Sequence, residues 1–492
     1  MTTNPPSLSN DDLKKLYFNK EYSQIITLLS HSLTNNYESI FHLNLLGMCY
    51  LNLNEANSSI DYFLKCIKYK KAENDFSNLE VLYINLASAY LFNNDDNCLE
   101  YYLEAFKINN KNIKLLLLII DYYFNRSDMS SARQYISKVL ELDSNNETAL
   151  FKLFQILSFE KKLNEASKII KTLIKLSNNP YVYKYYLGNI FLEKEDYKNS
   201  EKLYLEIISK LPEFSECHNN LGVIYDKTNN LEKSRKCFLD SLALEPENIK
   251  FLNNLSSIYI REGNFEEAQS NLEWTLSLEK ENFLTLRLLA KYHHSNSDLK
   301  LSQDYIEKSL SIEPNNVTSL IQYGLILFSR NFLKQANDEY LKALDLSPNN
   351  LKVLLSLGHF YTITNSTELA IKYLNEAIKI DPGNSFSKNL LAGIYKTNSD
   401  YNKAKELYLD SKELNWEENV LECLYLDEKI DDFEKFYLTH SDNLTDSRTV
   451  SALITHANLC LDKNYNHSFC NDPLSYIKVI KCNDVINDIN TF

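Results

Sequence analysis

Residues 215–248 read SECHNNLGVIYDKTNNLEKSRKCFLDSLALEPEN. Two cysteines, a histidine and two pairs of asparagines stand out first. The decisive feature is the spacing around them. Leu221, Gly222 and Tyr225 fall on one helical face, Phe238 and Ser241 on another, and Pro246 closes the stretch. The same punctuation recurs along the chain. Pro212, Pro246, Pro314, Pro348 and Pro382 are separated by 34, 68, 34 and 34 residues. Gly188, Gly222, Gly324 and Gly358 are separated by 34, 102 and 34. In 492 residues with only 8 glycines and 9 prolines, such alignment marks an internal repeat of helix–turn–helix units.

The repeat resembles the tetratricopeptide repeat family. That pattern has a large apolar residue at position 4, Leu at 7, Gly or Ala at 8, Tyr at 11, Ala at 20, an aromatic at 24, Ala at 27 and Pro at 32. With position 1 at Ser215, the chain supplies His218, Leu221, Gly222, Tyr225, Ser234, Phe238, Ser241 and Pro246. From Leu351 it supplies Leu354, Leu357, Gly358, Tyr361, Ala370, Leu374, Ala377 and Pro382. Eight repeats run without a register break, starting at 147, 181, 215, 249, 283, 317, 351 and 385. Three more start near 40, 80 and 113, and degenerate pairs are expected at 10–33 and 419–465. The resemblance implies an all-α, TPR-type α-solenoid, a right-handed superhelix of about 11–13 repeats. The expected layout is a flexible 1–9, a superhelix over 10–418, a degenerate helical cap over 419–465 and an irregular or strand-like tail over 466–492.

The pattern has a physical reason. Positions 4, 7 and 11 share one face of the first helix, helix A, and positions 20, 24 and 27 share one face of helix B. Positions 8 and 20 must be small where the two helices cross. Proline at 32 cannot continue the hydrogen-bond ladder of helix B. The resemblance places helix A positions 2, 5, 9, 12 and 13 on the concave face. Some repeats depart from the pattern: His293 stands at position 11 of the 283 repeat, and Ser200, Ser234 and Ser302 replace Ala at position 20. The serine replacements are small-for-small exchanges.

Composition excludes several classes. The net charge is −14, and there is no Lys/Arg-rich run, so nucleic acid and acidic lipid surfaces are not expected partners. No basic start followed by an apolar stretch is visible at the N-terminus, and LLLLII at 115–120 is far too short to span a bilayer. The nine cysteines are odd in number, scattered and without a CxxC, as expected of reduced thiols in a cytoplasmic protein. There is no P-loop, dinucleotide glycine pattern or nucleophile motif, so no cofactor and no catalytic residue is assigned.

Two clusters hold residue types that bind metals. Cys217, His218 and Cys237 do not form a tetrahedral set, because adjacent helical residues diverge by about 100°. His440-Ser441-Asp442 with His456 and His467 resembles the order of an iron facial triad, but its surroundings are helical. A binding groove suits the sequence better. The resemblance includes a two-carboxylate clamp for peptide C-termini, of which Asn189, Asn220 and Lys250 fill three of five places; Tyr185 and Asn254 replace its cations. Asn85, Asn220 and Asn254 occupy position 6, and Asn219, Asn253 and Asn389 position 5, like the asparagine ladder of O-linked N-acetylglucosamine transferases. An amide both donates and accepts, which suits recognition of a peptide backbone. Lys227, Arg261, Arg287 and Lys291 are expected to make the groove locally basic and suited to an acidic extended segment.

The tail FCNDPLSYIKVIKCNDVINDINTF alternates like a strand. It looks like the segment that joins such arrays to a C-terminal oxygenase-type domain in some bacterial proteins. The leading expectation is a non-enzymatic scaffold or adaptor that binds a peptide or protein in its concave groove, with self-association left open. The alternative is the substrate-recruiting arm of a split oxygenase- or glycosyltransferase-type enzyme.

Overall fold

The computed structural model describes residues 9–33, 39–73, 75, 77–444 and 448–461. Every regular element among them is helical. In each of the eight in-register repeats, helix A begins on the first repeat position, from Glu147–Phe159 and Tyr181–Glu193 to Leu351–Ile363 and Ser385–Thr397. Helix B stops two residues before proline, at Lys210, Leu244, Ile312, Leu346 and Ile380. The proline ring would clash with the preceding turn, yet helix B ends at the same repeat position where proline is missing, at Leu142, Leu176 and Leu278.

Asparagine starts many of these helices. Asn112, Asn146, Asn248, Asn282, Asn316, Asn350 and Asn384 each stand just before a helix A and accept from a backbone N–H two or three residues on. Asp128, Asp196, Asn230, Asp298 and Asp400 do the same for helix B. Each such cap contributes about 1 kcal/mol. The turn between A and B needs one left-handed residue. It is met at Ser127, Lys161, Glu195, Asn229, Gly263, Ser297, Asn331, Asn365 and Ser399, and only one of these nine is glycine.

Within a repeat, the small residue at position 8 receives the bulky one at position 24. A Cβ on Gly188 would lie 2.6 Å from the Tyr204 ring, one on Gly324 2.6 Å from Tyr340, and one on Gly358 2.6 Å from Leu374. Burying such a side chain contributes about 1.5–3 kcal/mol, available only if the notch stays empty. The position-20 serines do more than fit. Ser59 donates to the Gly47 carbonyl at 2.8 Å, Ser200 to Gly188 at 2.8 Å and Ser302 to Ala290 at 2.7 Å. Position 11 stacks on position 23: Tyr50 on Tyr62, Tyr123 on Tyr135, His293 on Tyr305 and Tyr361 on Tyr373, with interplanar angles of 8°, 19°, 7° and 10°.

The chain divides into two compact units, Met1–Thr228 and Asn229–Phe492. In each, helix A packs on its own helix B, and helix B on the next helix A. The apolar interior is correspondingly a series of clusters. Phe63, Leu86 and Tyr102 belong to one in the first unit, and Leu320, Leu357 and Leu374 to one in the second. Trp416–Leu426, Ile430–His440 and Arg448–Leu461 pack round Phe433 at the end of the second unit. The tail 466–492, with its strand-like and oxygenase-like readings, lies outside the described residues, as do most of residues 1–9.

Candidate protein-binding surfaces

In the first unit, three of the expected groove amides meet. Asn219 Nδ2 donates to Asn220 Oδ1 at 3.1 Å, and Asn220 Nδ2 donates to Asn189 Oδ1 at 2.9 Å. The Tyr204 hydroxyl donates to the same Asn189 oxygen at 2.6 Å. Burial pushes the Tyr204 phenol well above the ordinary tyrosine range, so it stays a neutral donor. Asn219 is 0% exposed and Asn220 6%, whereas Asn189 is half-buried. The amides expected at positions 5 and 6 of the 215 repeat therefore face inward. Tyr185, which replaces a clamp cation, packs on Phe214 and Tyr204 at 5.1 and 6.1 Å. Asn85, half-buried, donates to Asn44 Oδ1 at 3.1 Å, and Lys227 is exposed.

In the second unit, Asn253 is 1% exposed and accepts from the Thr285 hydroxyl at 3.1 Å. It is a link between consecutive A helices rather than part of an open surface. Asn254 and Asn389 are half-buried, and the Asn389 Oδ1 has no hydrogen bond among the described residues. Lys250 and Arg261 are exposed, and Arg261 donates to Asn229 Oδ1 at 3.0 Å.

Arg287 is different. It is half-buried on helix A of the 283 repeat. Its carbonyl accepts from Gln322 Nε2 at 3.0 Å, but its guanidinium has no carboxylate or hydrogen-bond partner among the described residues. Burial alone lowers its pKa from the ordinary arginine range, with no neighbouring anion to oppose the shift. Lys291 lies one turn on, also half-buried, on the same helix face. One turn further, His294 Nε2 is 3.0 Å from the Ser329 hydroxyl.

The residues that first suggested metal are engaged otherwise. Cys217 is fully buried, and His218 Nε2 donates to the Pro212 carbonyl at 2.9 Å. His440 bonds the Phe436 carbonyl at 3.0 Å and His456 bonds the Tyr425 hydroxyl, while His467 lies outside the described residues. No group of three or more His, Cys, Asp or Glu residues among the described residues is placed to hold a metal ion. No described helix is long and apolar enough to cross a membrane.

Sequence reasoning missed Tyr204, Gln322 and the hydroxyl role of position 20. The available signal was chemical. Tyrosine at position 24 brings a hydroxyl that must find a partner when buried, and serine at position 20 brings one that alanine lacks.

Family models described as tetratricopeptide repeat match residues 215–248 and residues 43–73, 249–282 and 351–384. No curated protein matches the chain. Solved structures similar to it include a tetratricopeptide repeat protein from Parabacteroides merdae ATCC 43184, 16% identical, covering 50% of this chain and 97% of that one, with a TM-score of 0.44. Yeast Tom70 is 15% identical, with 85% and 99% covered and a TM-score of 0.42. The APC/C hetero-tetramer Cut9-Hcn1 is 15% identical, with 84% and 89% covered and a TM-score of 0.45.

Proposed function

We propose that this chain, a tetratricopeptide repeat protein, is a protein-interaction scaffold whose helix A surfaces hold an extended segment of a partner, and that in the second unit this segment is acidic. The observation that carries the acidic reading is Arg287. A half-buried cation without an anion is unfavourable, and a chain of net charge −14 has many carboxylates that could have been placed beside it. A partner Asp or Glu would supply the missing charge-assisted bond, with Lys291 one turn away as a second cation. The half-buried amides Asn254 and Asn389 are assigned to the partner main chain in the same unit, and Asn85 and Asn189 in the first. Asn219, Asn220 and Asn253 are positioning residues, holding their neighbours by hydrogen bonds. Lys227, Lys250 and Arg261, all exposed, add to attraction at a distance more than to fixed contacts.

The test is fluorescence anisotropy with a short Asp/Glu-rich peptide. Arg287→Gln is expected to weaken binding about tenfold, the loss of one charge-assisted hydrogen bond, and Arg287→Lys by less. Helicity should be unchanged, because the substitution removes an uncompensated charge rather than a paired one. Equal affinity of wild type and Arg287→Gln for the acidic peptide would overturn the assignment.

A further inference from the structure

At the turn between helix A and helix B of the 317 repeat, two residues depart from their counterparts. Arg330 stands at position 14. In two other repeats that position holds Glu160 and Glu262, which pair with Arg133 and Arg235 of the preceding repeat at 2.8 and 3.2 Å. Here the residue that meets Arg330 is neutral, the side chain of Gln303. Glu307, close by, is bonded to Gln303 Nε2 and the Tyr323 hydroxyl at 2.6 and 2.7 Å instead. Phe332 stands at position 16, where Asn230, Asp298 and Asp400 cap their helix B. It makes no such bond, and its ring is 43% exposed.

With Leu333 and Lys334, both exposed, these residues line an open cavity of about 700 Å³. The Arg330 guanidinium lies over the Phe332 ring at 4.9 Å, which holds it at the cavity edge. The cavity offers two cations and two apolar side chains, and no carboxylate is among its lining residues. Its complement is an apolar side chain next to a carboxylate.

This chain carries such a pair. Leu414 is 85% exposed, more than any other large apolar side chain among the described residues. It stands beside Glu413 in the loop between helices Tyr401–Ser411 and Trp416–Leu426, bracketed by the left-handed residues Lys412 and Asn415 at φ 48° and 63°. Glu417 and Glu418 follow, so carboxylates outnumber the one ammonium of Lys412 there. Turns from A to B and turns from B to A lie at opposite ends of antiparallel helices, about 20 Å apart, so Leu414 does not reach the cavity of its own chain. In a chain of net charge −14, two copies repel except where opposite charges meet. The acidic loop and the cationic cavity are such a place.

We propose that the Glu413–Leu414 loop of one copy docks into the cavity formed by Arg330, Phe332, Leu333 and Lys334 of a second copy, a head-to-tail self-association of this chain. Leu414 covers the exposed Phe332 and Leu333, and the Glu413 carboxylate accepts from Arg330 and Lys334. The contact does not depend on the acidic segment at Arg287.

The experiment is sedimentation velocity of the full chain over a wide range of concentration. The weight-average mass of the wild type should rise with concentration. Leu414→Ser and Arg330→Glu should each weaken association about tenfold, the loss of one buried leucine or of one charge-assisted bond. Helicity should be unchanged in both, because Leu414 is exposed and Arg330 meets only a glutamine. Each variant keeps one half of the contact. An equimolar mixture of the two should therefore associate at concentrations where neither does alone. Arg330→Glu combined with Glu413→Arg should recover much of the loss of Arg330→Glu. Arg287→Gln should leave the mass unchanged, and Leu414→Ser should leave acidic-peptide binding at Arg287 unchanged, so the two sites fail separately. A wild type that stays monomeric at every concentration, variants that associate as it does, or a mixture no more associated than its components would overturn the proposal.

Discussion

Ser200 donates its hydroxyl to the carbonyl oxygen of Gly188 at 2.8 Å, joining helix B of the 181 repeat to its helix A at their closest crossing. Ser200 is fully buried, and Tyr204, one turn on, fills the notch that Gly188 leaves open. Small size and hydrogen bonding are both needed at this crossing. Ser200→Ala keeps the size and loses the bond, so it should destabilise by about 1 kcal/mol in urea denaturation. Ser200→Val adds bulk against the same carbonyl and should cost about 1–3 kcal/mol more. Equal stability of Ser200→Ala and wild type would show that the hydroxyl contributes nothing.

The notch itself predicts a compensating pair. Gly324→Ala drives a methyl to 2.6 Å from the Tyr340 ring and should cost about 1–3 kcal/mol. The 283 repeat already uses Ala290 with Ile306, both fully buried, at the corresponding positions. Gly324→Ala combined with Tyr340→Ile should therefore recover much of the loss of Gly324→Ala alone. A double-mutant cycle by chemical denaturation measures the coupling, and strict additivity would contradict the notch.

The left-handed turn residues give an opposite-signed pair. Glu195 has φ 59°, where an L side chain is strained, and Gly263 has φ 78°. Glu195→Gly should stabilise by about 0.5–1 kcal/mol, the relief of strain less the greater freedom of glycine in the unfolded chain. Gly263→Ala should destabilise by about 1 kcal/mol. A Cβ on Gly263 meets nothing within 4 Å, so any loss there is backbone strain and not a clash.

Acid should weaken the second unit. Burial lowers the pKa of His293, His294 and His359 below the ordinary 6.5, with Asp298 opposing the shift at His293. The unfolded chain then takes up protons that the folded chain refuses. Stability is complete above about 6.5 and falls as pH drops below it. His293→Tyr, which restores the ring usual at position 11 above Tyr305, should reduce the fall in urea midpoint between pH 7 and pH 5. An unchanged pH dependence would remove His293 from the account.

The repeat register was legible because it rests on local chemistry. Pro314 stops a helix wherever it stands, and Gly324 marks a crossing whatever its neighbours. The asparagines were legible only in part. Asn316, Asn350 and Asn384 recur at the period just before helix A, which is where a cap belongs, although composition alone makes asparagine look incidental. The ladder expectation placed Asn219 and Asn253 on the groove by position number. Position number gives the helix face but not how closely the adjacent A helix approaches. Thr285 meets Asn253 at 3.1 Å, and Asn189 lies 2.9 Å from Asn220, so those amides are enclosed.

The sequence alone determined the all-helical repeat, its 34-residue register, where each helix starts and stops, and which positions must be small. Each of these depends on residues within one turn or one hairpin. Only the tertiary structure decided which polar groups are already satisfied. It closed Asn219 and Asn220 into a chain with Asn189 and Tyr204, and it left Arg287, Gln155 and Ser158 without partners among the described residues. The physical reason is that hydrogen-bond satisfaction is a property of pairs. A side chain's partner stands a whole repeat away in sequence, and its arrival within 3 Å is set by how the repeats stack.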